Sequence, residues 1–307
     1  MAAYRLWDGF VSPGPLAVET VVIIPKGAGI AAVAERLAAA GVIENPTIFV
    51  IGARALELGR RFRAGEFAFS PGMSMRAVAE HLVSGKTVVR RITIPEGLLS
   101  VDVVRLLEDA DGLAGAVETI PADGELLPET YFYSYGDSRQ AIIDRMKAAM
   151  TKALGEAWAS RSPDIAISDP HEAVTLAAVI ERETGIAAER RRVSAVFHNR
   201  LKRGMRLQSD PTVAYAVTGG KSLLGRPLTT ADLRIDSPYN TYEQNGLPPG
   251  PIANPGRAAL QAAVDPLKSD EYYFVADGTG GHAFARTLQE HNRNVAKWRR
   301  YQRSLKP

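Results

Sequence analysis

The 307-residue chain has no cysteine, which excludes a disulfide framework and thiolate chemistry but leaves the redox compartment open. Histidine is scarce: His81, His171, His198, His282 and His291 are the only five, and none stands at a metal-ligand spacing such as H-E-x-x-H. No serine sits in a G-x-S-x-G setting. Metal-assisted and serine-triad mechanisms are therefore disfavoured, and no cofactor is expected. No apolar run reaches the roughly eighteen residues a membrane span needs. Neither charge dominates, with 37 Lys+Arg against 34 Asp+Glu and a formal charge of +3, too small an excess to imply a nucleic-acid partner. The arginines concentrated at Arg190, Arg191 and Arg192, and at Arg299, Arg300 and Arg303, lack an interleaved aromatic platform and read as solvated helix faces.

What is present is an ordinary globular composition, 46% hydrophobic and 23% charged, on a chain long enough for two domains. The opening "MAAYRLWDGFVSPGP" mixes Tyr4, Trp7 and Phe10 with Arg5, a combination found where a chain leaves a bilayer, although composition alone favours a frayed terminus. Three segments then share one design. In "VVIIPKGAGIAAVAERLAAAGVI", "FAFSPGMSMRAVAEHLVSG" and "ITIPEGLLSVDVVRLLEDA", an extended apolar stretch gives way at Pro25, Pro71 or Pro95 to glycine and then to helical spacing. They predict strand-turn-helix units. Their uneven spacing of about 45 and then 25 residues argues against a solenoid. With the helix and basic turn of "NPTIFVIGARALELGRRFRAGEF", residues 17 to about 90 predict a small α+β module with no site-like polar cluster, suited to binding or spacing. The segment "LLPETYFYSYGDS" predicts an aromatic-rich loop, followed by a helix near 137–159 and a turn-rich connection.

Chemistry concentrates later. Asp169, Pro170 and Glu172 predict a helix start with a capping box, and Gly185 a left-handed C-cap, so a helix over about 170–184 ends in "ERETG". On it, Glu181 and Glu183 point about 200° apart. Glu183 continues the bulky row Leu176, Val179, Ile180, and Glu181 the thinner row Val174, Ala177, Ala178. Glu183 is thus expected to be partly buried, with desolvation and the negative helix end both raising its pKa toward that of a general acid. Against this stands an ordinary solvent-facing glutamate of a last helical turn. A second helix is expected near 188–203, with Val193, Val196, Phe197 and Leu201 on one face and arginines on the other. Asp210 before Pro211 predicts an N-cap, or alternatively a second carboxylate. "DSPYNTYEQNGLPPGPIANPG" predicts a long ordered loop whose Asn, Gln and Tyr groups suit a sugar polymer. "YYFVADGTGGHAFARTLQEHN" predicts a hairpin and then a helix opened by a Thr287–Glu290 capping box.

Together, "AAVIERETG", "VFHNRLKRGMRLQSDPTVAYA", "DSPYNTYEQNGLPPGPIANPG" and "FVADGTGGHAFARTLQEHN" resemble the endolytic murein transglycosylases of the YceG-like (MltG) family, over about residues 90–307. The resemblance implies an α+β protein: a juxtamembrane remnant at 1–16, a LysM-like module at 17–90, and a catalytic domain at 91–307 whose active-site core, 170–307, holds a lysozyme-like glutamate helix. It implies a lyase that cuts peptidoglycan between N-acetylmuramic acid and N-acetylglucosamine, leaves 1,6-anhydro ends and so terminates nascent strands. Glycan strands are the implied substrate and peptidoglycan synthases (penicillin-binding proteins) the implied partners. The family's catalytic acid falls on Glu183. Thr184, Gln208, Asp210, Thr212, Tyr215, Asn240, Tyr242, Asn254, His282 and Asn292 are candidates for orienting that acid or holding glycan. The family's single membrane helix is missing from the sequence, so an anchor is expected upstream of residue 1, on an inner-membrane protein with its catalytic domain in the periplasm. The alternatives are a lysozyme-like hydrolase in which Asp210 activates water, and a non-catalytic wall-binding scaffold.

Overall fold

A computed structural model describes residues 2–304, which form two compact units. The first takes in residues up to 92 together with 110–116 and 131–139. Its helix α1 (Ala2–Val11) is followed by strand β1 (Thr20–Ile24), helices α2 (Ile30–Ala39) and α3 (Pro46–Ala55), strand β2 (Gly65–Phe69) and helix α4 (Met75–Ser84). β1 and β2 pair antiparallel with Val22 opposite Phe67. The period-two pattern shows in the burial: Val22 and Ile24 face the core while Val21 faces solvent. Against this ribbon α2 packs Val33 and Leu37, α3 packs Phe49, and α4 packs Val78 and Leu82. A second two-stranded sheet joins β3 (Arg90–Thr93) and β4 (Thr130–Tyr133), and Arg90 makes a bidentate ion pair with the buried Glu66.

Two expectations change here. The N-terminal segment is not frayed: it is helical, and Phe10 is fully buried against Gly52, where any Cβ would lie 2.4 Å from the Phe10 ring. The aromatic stretch expected as loop contains β4, whose Tyr131 and Tyr133 alternate inward. The strand-turn-helix reading of the three apolar segments holds, because β1, β2 and β3 are each followed by a helix.

The second unit comprises residues 93–109, 117–130 and 140–307. It contains α5 (Ser100–Glu108), α6 (Arg139–Ala159), α7 (Pro170–Glu183), α8 (Arg190–Lys202), α9 (Asp210–Thr218), α10 (Arg257–Val264), the hairpin β5 (Tyr273–Ala276) and β6 (His282–Ala285), and α11 (Leu288–Ser304). The fold class is α+β, as expected. α7 is the central element and packs against α8, α9 and α10. Every residue from Ala173 to Ile180 is buried, so the helix has no solvent face over this stretch. The small row Ala173, Ala177, Ala178 is as buried as the bulky one, since alanines let neighbouring helices approach closely. Among the described residues no helix is long and apolar enough to cross a membrane.

The segment from 235 to 256 is irregular, as its Pro, Gly and Asn content predicts. It is nevertheless ordered by its own asparagines. Asn240 donates to the carbonyls of Leu233 and Ile235 and accepts from Tyr242 N. Asn254 donates to Leu98 O and Ser100 Oγ and accepts from Gly124 N and Leu126 N. Both side chains are fully buried, so these bonds satisfy backbone groups that would otherwise be stranded.

Candidate active site

The site is built where α7 stops. Asp169 caps its N-terminus by accepting from Glu172 N. Glu172 reaches one residue further back than a capping box requires, accepting from Ser168 N and Oγ. At the other end the expected left-handed glycine is not used: Thr184 is the C-cap, in extended conformation, and its Oγ1 accepts from Ile186 N. The chain thus leaves the helix directly after Glu183 and the carboxyl projects from the last turn into a cleft of about 520 Å³.

Glu183 and Glu181 are both withdrawn from water, although the helical rows favour Glu183 as the partly buried one. The Glu181 side chain is 5% exposed, lies 3.7 Å from Arg190 and accepts from Gly256 N. The cause is the central position of α7, which buries both rows rather than one. Burial raises the Glu181 pKa, opposed by the Gly256 hydrogen bond. Glu181 is sealed into the fold, however, whereas Glu183 lines the open cleft. There burial pushes the Glu183 carboxyl up to about 7, and the Asp210 carboxylate adds to the rise. A hydrogen bond from Ser209 Oγ to Oε1 and the nearby His282 and Arg200 oppose it.

The loop between α8 and α9 carries the facing wall. Arg200 is buried, unlike the solvated arginine face the sequence predicts for α8, and donates to Tyr272 O and Leu207 O. Arg190 is likewise buried beside Glu181. Gln208 lines the cleft with φ +50, a left-handed conformation costly for a side-chain-bearing residue. Thr241 holds it there, since Gln208 N donates to Thr241 O and Ser209 N to Thr241 Oγ1. Thr212 is buried and completes the clamp through Ser209 O and Thr241 Oγ1. Ser209, rather than Asp210, takes the N-cap position of α9. Asp210 is the first residue of the helix, exposed in the cleft, and accepts from Tyr242 OH at 2.6 Å.

The hairpin and α11 form the remaining wall. His282 Nδ1 and backbone N both bond Glu189, at 2.7 and 3.0 Å, which turns the other side of the ring toward the cleft. A Cβ at Gly281 would meet Glu189 Oε1 at 2.8 Å, so glycine is needed for this approach. His291 stacks on Tyr273, and its buried Nδ1 has no hydrogen-bond partner. The predicted capping box of α11 forms reciprocally between Thr287 and Glu290.

Of the sequence candidates, Glu183, Gln208, Asp210, Tyr242 and His282 line the cleft. Thr184, Thr212 and Asn240 are buried and bond backbone groups of the segments around it, whereas Asn254, also buried, holds backbone beside a different pocket. Tyr215 lies in a different pocket, bonded to Asp123 at 2.9 Å. Asn292 is exposed on α11 and is not among the residues that line the cleft. Sequence reasoning missed Ser209, Thr241, Arg200 and Glu189. Ser209 had a signal, as a cap-forming residue just before Asp-Pro; the others act through contacts distant in sequence. Among the described residues no three or more His, Asp or Glu side chains are grouped to hold a metal ion.

A carboxyl whose pKa is raised to about 7, open to a polar cleft and near the Arg200 guanidinium, can donate and then recover a proton. The chain belongs to the YceG-like family, which it matches over residues 22–297. It is 31% identical over 306 residues to the endolytic murein transglycosylase of Bacillus subtilis (strain 168), covering 90% of this chain and 83% of that one. It is 29% identical over 323 residues to the endolytic murein transglycosylase of Streptococcus pneumoniae (strain D39), covering 89% of this chain. The chain spans 57% of that relative's length. The crystal structure of a YceG-like protein from Listeria monocytogenes aligns with a TM-score of 0.55 at 30% sequence identity, covering 90% of this chain and 98% of the other.

Proposed function

We propose that this protein is an endolytic murein transglycosylase with Glu183 as its catalytic acid and base. The observation that carries the reading is the Glu183 carboxyl, raised to about 7 by burial yet facing a cleft. Protonated Glu183 donates to the oxygen of the β-1,4 bond between N-acetylmuramic acid and N-acetylglucosamine. As that bond breaks, the substrate's acetamido group supports the positive charge on C1. The Glu183 carboxylate then takes the proton of the C6 hydroxyl, O6 closes on C1, and a 1,6-anhydro ring forms with no water consumed. Substrate assistance removes the need for the second carboxylate of an ordinary glycosidase. His282 and Arg200 favour the carboxylate form of Glu183 and Asp210 the protonated form, so the group is balanced between its two tasks. Gln208 and Tyr242 hold glycan in the cleft.

This reading carries with it a periplasmic catalytic domain on an inner-membrane protein that terminates strands made by peptidoglycan synthases. The LysM-like module at 17–90 serves as a wall-binding or spacing element. A hydrolase is the second reading, favoured by Asp210 at the same cleft, where it could activate water. Mass spectrometry of products from purified, uncrosslinked strands separates the two. Anhydro-muramyl ends are expected, and reducing ends would overturn the lyase. Glu183→Gln is expected to give neither.

A further inference from the structure

The second unit contains another pocket, of about 440 Å³, outside the Glu183 cleft. Asp123, Tyr215 and Tyr239 are its distinctive members. The two tyrosine rings lie 4.8 Å apart and tilted by 43°, forming an apolar wall. Asp123 accepts a hydrogen bond from Ser100 N at 2.7 Å and one from Tyr215 OH at 2.9 Å, and the Ser100 hydroxyl also bonds it. A carboxylate has about four acceptor positions, so about one remains open. No lysine or arginine lines the pocket, whereas Glu125 and Asp123 both do. An anionic ligand is therefore opposed. Aromatic faces beside an acceptor with spare capacity suit a neutral ligand that presents C–H faces and donates hydroxyls, which describes a pyranose ring.

Its position relative to the cleft is fixed by three separate segments. On α9, Asp210 lines the cleft and Tyr215 lines this pocket, five residues on, which is about 7.5 Å along the axis and about 140° around it, so the two sites open on different sides of the helix. On the loop, Tyr242 lines the cleft and Tyr239 lines the pocket, three residues and so at most about 10 Å apart. On α7, His171 lines the pocket and Glu183 the cleft, twelve residues or about 18 Å along the axis, so the two sites lie at opposite ends of that helix and only a strand of several sugar units can span both.

We propose that the Asp123–Tyr215–Tyr239 pocket is a distal glycan subsite, which binds an N-acetylglucosamine unit, the sugar of the strand without a lactyl carboxylate, beyond those at the Glu183 cleft. The proposal rests on the murein reading for its ligand. It explains why Tyr215, a candidate substrate contact by sequence, is separated from the catalytic cleft. An endo-acting enzyme gains from such a subsite, because a strand gripped at two places is held away from its ends.

The test is binding, so that it does not depend on catalysis. Peptide-free glycan oligosaccharides of graded length are titrated calorimetrically into Glu183→Gln protein, alone and combined with Tyr239→Ala or Ile120→Arg. Ile120 is exposed at the pocket, so an arginine there covers the mouth without disturbing the core and keeps the test valid if Tyr239→Ala fails to fold. Affinity is expected to rise with length in the Glu183→Gln background, and each added substitution to weaken the longest ligands roughly five- to tenfold more than the shortest. Equal weakening at all lengths, or none, overturns the proposal. So does a length advantage that appears only on strands bearing stem peptides. Length-dependent binding by an enzyme that gives no anhydro products would refute the transglycosylase activity while leaving the subsite intact.

Discussion

Replacing Glu183 by glutamine should abolish cleavage and stabilise the protein at the same time, in a pH-dependent way. Folding moves this carboxyl from 4.5 to about 7, chiefly by burial. At about 1.4 kcal/mol for each tenfold change in proton affinity, that corresponds to about 3 kcal/mol. The folded state binds the extra proton, so the stabilising effect is complete below pH 4.5 and is lost as pH rises through 7. Glutamine has no proton to lose, and its Oε1 can still accept from Ser209. Urea unfolding of both proteins should therefore give similar stabilities near pH 4, with the variant gaining progressively above pH 4.5. The difference should level off near 3 kcal/mol above about pH 7.5. A difference that stays constant from pH 4 to 8 would show that Glu183 titrates as an ordinary exposed glutamate, and the account of the acid would fail with it.

Three other substitutions probe the support around this group. Ser209→Ala removes a hydrogen bond that lowers the Glu183 pKa, so the alkaline limb of the kcat/KM profile should move to higher pH, at a stability cost of about 1 kcal/mol. Glu189→Gln weakens the hold on His282 at Nδ1 and should lower kcat/KM on glycan strands about tenfold with little change in Tm. An unchanged rate would remove His282 orientation from the mechanism. Asn254→Ala strands Gly124 N and Leu126 N in the interior, while Leu98 O keeps its bond from the residue 254 backbone N, and chemical denaturation should show a loss of about 3 kcal/mol; a loss under 1 kcal/mol would mean that the loop is held by other contacts.

Much of the organisation is local chemistry and was legible in the chain. The proline-glycine breaks after β1, β2 and β3 mark strand-turn-helix units because those residues end extended structure wherever they occur. Asp169 with Pro170 starts α7, and Thr287 with Glu290 starts α11, because capping involves only groups within one turn. The dense Pro, Gly and Asn content of 235–256 excludes regular structure for the same local reason. Helical geometry also separated Glu183 from Glu181 correctly as to direction.

Only the tertiary structure decided what each direction faces. Amphipathic patterning assumes one buried and one wet side, and α7 is enclosed on both, so Glu181 is sealed beside Arg190 while Glu183 meets the cleft. The same enclosure buries Arg200, which a sequence pattern assigns to solvent, and turns it into a brace for the carbonyls of Leu207 and Tyr272. The pKa of about 7 follows from that assembly: burial and Asp210 raise it, while Ser209, His282 and Arg200 lower it, on one carboxyl and from segments distant in the chain. Sequence alone determined that a glutamate ends this helix. The packing of other segments around that helix end decided that its carboxyl keeps a proton, because desolvation and charge depend on which groups are near in space.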